Sequence, residues 1–199
     1  MLQKPYDFAK GKLIVREMTD LLALDLVDKH LVTDQVVLTV GYDIENLREP
    51  ERAEKYRGQV TTDYYGRKVP KHAHGSANLG RKTSSTKIIM DAMMELYDRI
   101  VDENLLVRRI NVVANHVTEE STAPREEKGF EQLDLFTDYA AEKEQQEREE
   151  KRLARERAIQ ETVLQMKRKY GKNAILKGMN LEEGATTVER NRQIGGHKA

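Results

Sequence analysis

Apolar positions along the chain switch period several times, and each switch marks an element. From Asp7 to about His30, Ile14, Met18, Leu21, Leu22 and Leu26 recur at spacings of three and four, with Leu13 and Leu24 widening the stripe. That spacing predicts an amphipathic helix. After Thr33-Asp34 the run Gln35-Val36-Val37-Leu38-Thr39-Val40-Gly41-Tyr42-Asp43 is β-branched and too short for a helix, so it predicts a largely buried strand. Residues 44–63 are charged, carry Pro50 and Gly58, and read as an excursion or hairpin arm. The pair then repeats. His72 to Leu79 reads as a strand interrupted by Gly75. Ser84 or Ser85 is placed to cap a helix with the stripe Ile88, Ile89, Ala92, Met93, Leu96, Tyr97 and Ile100, and Val107 to Ala114 forms the last strand.

These elements predict an α+β fold: a small antiparallel or mixed sheet of about four strands with two helices on one face, the other face free. Past Val117 the composition changes to TEESTAPREEKGF, a linker with Pro124 and Gly129. Residues 141–170 are strong helix formers, but their stripe Ile159, Val163, Met166, Tyr170 is narrow, which predicts a solvated helix, marginal on its own. The expected organisation is a domain over 1–118, a linker over 119–140, and a charged, partly helical or disordered tail over 141–199.

Composition sharpens this division. With 34% charged residues, three Phe and no Trp, the 199 residues hold too little apolar surface to pack around one core. The absence of cysteine excludes disulfides, thiolate metal sites and a Cys nucleophile, and suits a reducing cytoplasm. The apolar runs are short and the N-terminus lacks a signal-type core, so a cytoplasmic protein with no membrane partner is expected.

Charge is balanced overall, 34 acidic against 34 basic, but not evenly spread. Between Tyr64 and Met90 stand Arg67, Lys68, Lys71, Arg81, Lys82 and Lys87, with no acidic residue and with His72 and His74 added. The window also carries Ser76, Asn78, Gly80, Thr83, Ser84 and Ser85, types that hydrogen-bond phosphate oxygens, and the second helix would aim its positive end there. Nucleic-acid backbone is the expected ligand. His72 and His74 lack a third metal ligand of suitable type, Asp43 and Glu45 read as a turn, and neither GxSxG nor GxxxxGK[ST] occurs, so no metal site and no catalytic constellation is expected.

One stretch stands out in the polar linker: Gln132-Leu133-Asp134-Leu135-Phe136. An exposed apolar cluster in a segment with nothing to bury it against reads as a docking site for another protein. It resembles the pentapeptide by which bacterial polymerases and repair proteins dock on the sliding clamp. In that reading Leu135 and Phe136 fill an apolar pocket, Leu133 packs on its rim, and the Gln132 amide satisfies buried polar groups.

The runs KPYDFAKGKLIVREMTDLLALDLVDKHLVTDQVVLTVGYD, HAHGSANLGRKTSSTKIIMDAMMELYDRIV and LLVRRINVVANHV are similar to the little-finger domain of Y-family translesion DNA polymerases, the UmuC/DinB type of ImpB/MucB/SamB repair proteins. AILKGMNLEEGATTVERNRQIGGHKA resembles the C-terminus of UmuC-type members from low-GC Gram-positive bacteria. The resemblance implies an open sheet lying along the DNA major groove, with Arg67, Lys68, Lys71, His72, His74, Ser76, Asn78, Arg81, Lys82 and Thr83 as candidate contacts. It further implies error-prone synthesis within the SOS response, with primer-template or damaged DNA and the clamp β subunit as partners. Tyr42-Asp43-Ile44-Glu45-Asn46 does not meet the family's Tyr-Ser-Ile-Asp-Glu signature, and palm, finger and thumb segments are not present. Polymerisation and its Mg²⁺ are therefore expected to lie outside this chain. On that resemblance the family's first little-finger strand would end where Met1 begins, so the domain over 1–118 is expected to lack it. The chain reads as a C-terminal piece of a longer polymerase, an internal-start product or a broken reading frame, or alternatively as a stand-alone clamp- and DNA-binding adaptor.

Overall fold

The computed structural model describes residues 2–123, 139–194 and 197–198. Helix α1 (Phe8–Asp28) starts at Asp7, whose carboxylate accepts from the Lys10 amide, and is followed by strand β1 (Leu31–Tyr42). Two short helices, α2 (Glu45–Arg48) and α3 (Pro50–Lys55), fill the excursion and lead to a small hairpin of β2 (Val60–Thr62) and β3 (Lys68–Pro70). Strand β4 (Ala73–Thr83), helix α4 (Thr86–Ile100), strand β5 (Val107–Asn115) and the two-residue β6 (Thr118–Glu119) complete the domain. The sheet runs β4-β1-β5, all antiparallel, with β6 pairing the start of β1. The expected four-stranded sheet with two helices on one face is what forms.

The side chains of β1 alternate because successive Cβ atoms point to opposite faces of a strand. Val36, Leu38 and Val40 are fully buried with Ile14, Val15, Ile89, Met93 and Leu96 of α1 and α4. Each such side chain contributes about 1.5–3 kcal/mol relative to exposure. Two details hold the helices close. The Tyr97 hydroxyl donates to the Phe8 carbonyl at 2.9 Å, and the two rings sit 4.9 Å apart. Gly75 of β4 lies under α4 so closely that a Cβ there would stand 3.0 Å from Leu96 Cδ1 and 3.1 Å from Ile100 Cγ2.

After residue 138 the chain returns to the domain. Helix α5 (Tyr139–Tyr170) is followed by a 3-10 turn (Gly178–Leu181), a short helix α6 (Thr187–Arg190), and the backbone of a two-stranded ribbon, β7 (Gln193–Ile194) with β8 (His197–Lys198). Of the stripe expected to be the helix's apolar face only Val163 is half-buried; Ile159, Met166 and Tyr170 are exposed, whereas Gln160 is buried. The less exposed face mixes Leu153, Val163 and Leu164 with Glu156, Arg157 and Gln160, and hydropathy therefore does not reveal it. Among the described residues no helix is long and apolar enough to cross a membrane.

The anchor of the C-terminal segment is Glu17, fully buried in the middle of α1. Its Oε1 accepts from Asn180 Nδ2 at 2.9 Å and the Thr187 amide at 3.2 Å, while Oε2 accepts from the Thr186 amide at 2.8 Å. The Arg190 guanidinium lies 3.6 Å from Oε2. Burial pushes the carboxyl up, but the hydrogen bonds from Asn180, Thr186 and Thr187 outweigh it and hold Glu17 below the usual glutamate range. An acid with a lowered folded pKa stabilises above its unfolded pKa and loses that contribution as pH falls through the folded one. The clasp should accordingly loosen only under acid conditions below the usual glutamate titration. Glu17→Ala, which takes the counter-charge from Arg190 and the acceptor from Asn180, Thr186 and Thr187, should cost about 3 kcal/mol in a urea melt. A change below about 0.5 kcal/mol would show that the C-terminal segment does not depend on it.

Candidate nucleic-acid interface

The face of the sheet turned away from the helices carries a register of polar side chains. β1 contributes Gln35, Val37, Thr39 and Gly41. Opposite these stand Asn78, Ser76 and His74 of β4 on one side and Asn115, Val113, Asn111 and Arg109 of β5 on the other. The rows are cross-linked. Gln35 donates to Asn78 at 2.9 Å and accepts from Asn115 at 3.0 Å, forming an amide ladder across three strands. In the row of His74, Thr39 and Asn111, Thr39 Oγ1 and His74 Nδ1 share a hydrogen bond of 2.9 Å. The result is a surface of amides, hydroxyls, an imidazole and one cation, able to donate and accept at both ends and interrupted in its middle row by Val37 and the exposed Val113.

Of the sequence candidates, His74, Ser76 and Asn78 share this face. Arg67, Lys68, Lys71 and His72 gather at its Gly41 end, around the β2–β3 hairpin. Arg67 is ion-paired with Asp63 at 2.6 Å, an arrangement that holds the Asp63 carboxyl below its usual range, and the Lys71 ammonium donates to Gln59 at 2.9 Å. His72 and His74 stand with ring centroids 6.5 Å apart. Among the described residues no group of three or more His, Asp or Glu could hold a metal ion. Asp43 is a turn former: its Oδ1 accepts from the Glu45 amide at 2.9 Å, and Oδ2 lies 3.5 Å from Arg108.

At the other end of the face the candidates are engaged by the chain itself. Thr33 pairs with Thr83 while Gln35 pairs with Asn78, so β4 bulges out over the intervening residues. Lys82 ion-pairs with Asp34 at 3.0 Å and donates to the His116 carbonyl. Hydrogen bonds from Lys82 and His116 hold the Asp34 carboxyl below its usual range. Thr83 is buried, and its hydroxyl accepts from the Ser85 amide at 3.0 Å, turned away from the open face.

Arg81 is met by Glu149 of α5 at 2.8 Å. The same helix covers the start of α4. Glu156 accepts from the Lys87 amide at 2.9 Å and from the Ser85 hydroxyl at 2.7 Å. Gln160 donates to the Ser84 carbonyl and the Thr86 hydroxyl, and Arg157 bridges Ser84 and Glu120. A carboxylate thus sits where the helix end favours negative charge. Sequence reading placed that helix end correctly but gave no sign of its occupant, since Glu156 lies in a run of charges like any solvated face.

It also missed Arg109 and Asn111. The residues of the clamp-type peptide, Gln132, Leu133, Asp134, Leu135 and Phe136, lie outside the described residues.

A family model described as the impB/mucB/samB family C-terminal domain matches residues 4–135. No curated protein and no solved structure matches.

Removing the Glu156 carboxylate should uncover the first turn of α4. Glu156→Ala is expected to speed hydrogen exchange at the Lys87 amide, with a loss of about 1 kcal/mol as for a lost N-cap. Unchanged exchange there would mean that α5 does not protect that turn in solution.

Proposed function

Because the chain belongs to the impB/mucB/samB family through its C-terminal domain, we propose that it is the DNA-holding and clamp-tethering portion of an error-prone polymerase. The family is that of UmuC/DinB-type proteins of DNA damage tolerance. The observation that carries the DNA half is the open sheet face, with its ladder of Gln35, Asn78 and Asn115 and its cation Arg109. Amides and hydroxyls spaced along strands suit phosphate and sugar oxygens rather than particular base edges, and contacts of that kind position a duplex without reading sequence. That is what a polymerase tolerant of damaged bases requires of its holding domain.

His74, Ser76 and Asn78, with Gln35, Thr39, Asn111 and Arg109, form the proposed contact surface. Arg67, Lys68, Lys71 and His72 flank it as phosphate partners at one end. Arg81 and Lys82 would serve at the other only by exchanging Glu149 and Asp34 for phosphate. In the same reading Gln132 to Phe136 tether the chain to the β subunit of the bacterial sliding clamp, which raises the concentration of the domain at primer ends. Catalysis, with its Mg²⁺, belongs to segments not in this chain, and the setting is the cytoplasm during the SOS response.

Two measurements test the halves separately. A labelled primer-template should bind with an affinity that falls steeply with salt, and Arg109→Ala should weaken binding about equally across sequences, reducing the log–log salt slope by about 1. A chain that binds no DNA at low salt overturns the first half. Replacing Leu135 and Phe136 by Ala should abolish saturable binding to a bacterial clamp, and undiminished affinity of that variant overturns the second.

A further inference from the structure

The hairpin of β2 and β3 ends in two tyrosines that no described residue covers. Tyr64 is 96% exposed and Tyr65 74%. Singly exposed aromatics are ordinary, but two adjacent ones on a turn held this firmly are not. The Asp63 carboxylate accepts from the Tyr65 and Arg67 amides, both at 2.9 Å, and the Gly66 amide donates to the Asp63 carbonyl at 3.0 Å. Gly66 takes the left-handed conformation that closes the turn, with φ +76°. The rings stand edge to face with centroids 5.4 Å apart, and the Arg67 guanidinium lies over Tyr65 at 5.1 Å. At its base the hairpin is fixed to the loop before it, the Lys71 amide donating to the Gln59 carbonyl at 2.7 Å. These contacts fix the backbone that carries the two rings before any ligand arrives.

The turn lines a cleft of about 570 Å³ together with the end of the open sheet face, Thr39, Gly41, Asn111 and Arg109. That volume lies in the range of small-molecule sites, roughly 300–1,000 Å³. Among the described residues Lys68 and Arg109 carry no ion pair; Arg109 lines the cleft with the tyrosines, and Lys68 stands on β3 of the hairpin itself.

We propose that the Tyr64–Tyr65 turn is a stacking platform for an unpaired nucleobase, one that continues the strand whose duplex part lies on the sheet. It rests on the reading of the open face as a DNA surface. Every base offers a π-face, so stacking on tyrosine accepts any base, while the flanking cations take the backbone. The turn would then mark the place where duplex gives way to single strand.

The test uses the full chain and two DNAs: a blunt duplex, and the same duplex with a single-stranded tail whose first unpaired base is 2-aminopurine. The wild-type chain should quench the 2-aminopurine saturably and prefer the tailed duplex. Replacing Tyr64 and Tyr65 by Ala should remove the quenching and weaken tailed-duplex binding about tenfold, with blunt-duplex affinity unchanged. Replacing both by Phe should keep the quenching and the preference. Quenching that survives the Ala variant, or an equal loss on both DNAs, overturns the platform while leaving the sheet as a DNA surface. If neither DNA binds, the reading of the sheet fails and the platform with it. A turn whose Ala variant only abolishes self-association of the chain is a contact between copies, which also overturns the proposal.

Discussion

Strand β1 is hydrogen-bonded on both sides and sealed on one face, and the rest of the domain follows from that constraint. With Val36, Leu38 and Val40 committed to the helices, the two-residue period leaves Gln35, Val37 and Thr39 no choice but the opposite face. A slip of one residue against β4 or β5 would bury Gln35 and Thr39 and expose the aliphatic set. The hydrophobic core therefore sets the register of the polar ladder.

The two ends of that face are not alike. At the Gly41 end the hairpin carries cations and tyrosines into solvent. At the Thr33 end Arg81 and Lys82 already have carboxylate partners, one of them supplied by α5. The basic window that looks uniform in sequence is thus divided by the fold into an available part and an occupied part. Helix α5 meets the domain at this point through a set of polar contacts to the Ser84–Lys87 turn, in which Gln160, Ser84 and Ser85 are buried.

Much of the domain was legible in the sequence because its apolar periods are clean. The stripe from Ile14 to Leu26, the β-branched run of β1 and the stripe from Ile88 to Ile100 each have one dominant spacing, and each became the element it predicted. What escaped has physical reasons. In β5, Gly41 pairs with Arg109 while Tyr42 pairs with Val107, so Arg108 is an extra residue. The bulge reverses the alternation. Val107 and Ile110 are both buried at a spacing of three, and counting by twos from Val107 would have turned Arg109 inward. Glu17 looks like any helix charge, since its partners Asn180, Thr186 and Thr187 lie far along the chain. The face of α5 that docks makes its hydrogen bonds and ion pairs through Glu149, Glu156, Arg157 and Gln160, and an apolar stripe gives no notice of them.

The nature of that docking has one more consequence. Contacts between charges are screened by salt, both the pair that joins α5 to Arg81 and any that a phosphate would make with the sheet under the proposed function. Where the two compete for the same cation, added salt weakens the occupant and the challenger together. The slope of a salt titration would then report the difference between ions released from the nucleic acid and ions taken up by the vacated carboxylates, and counting phosphates from it would give too few.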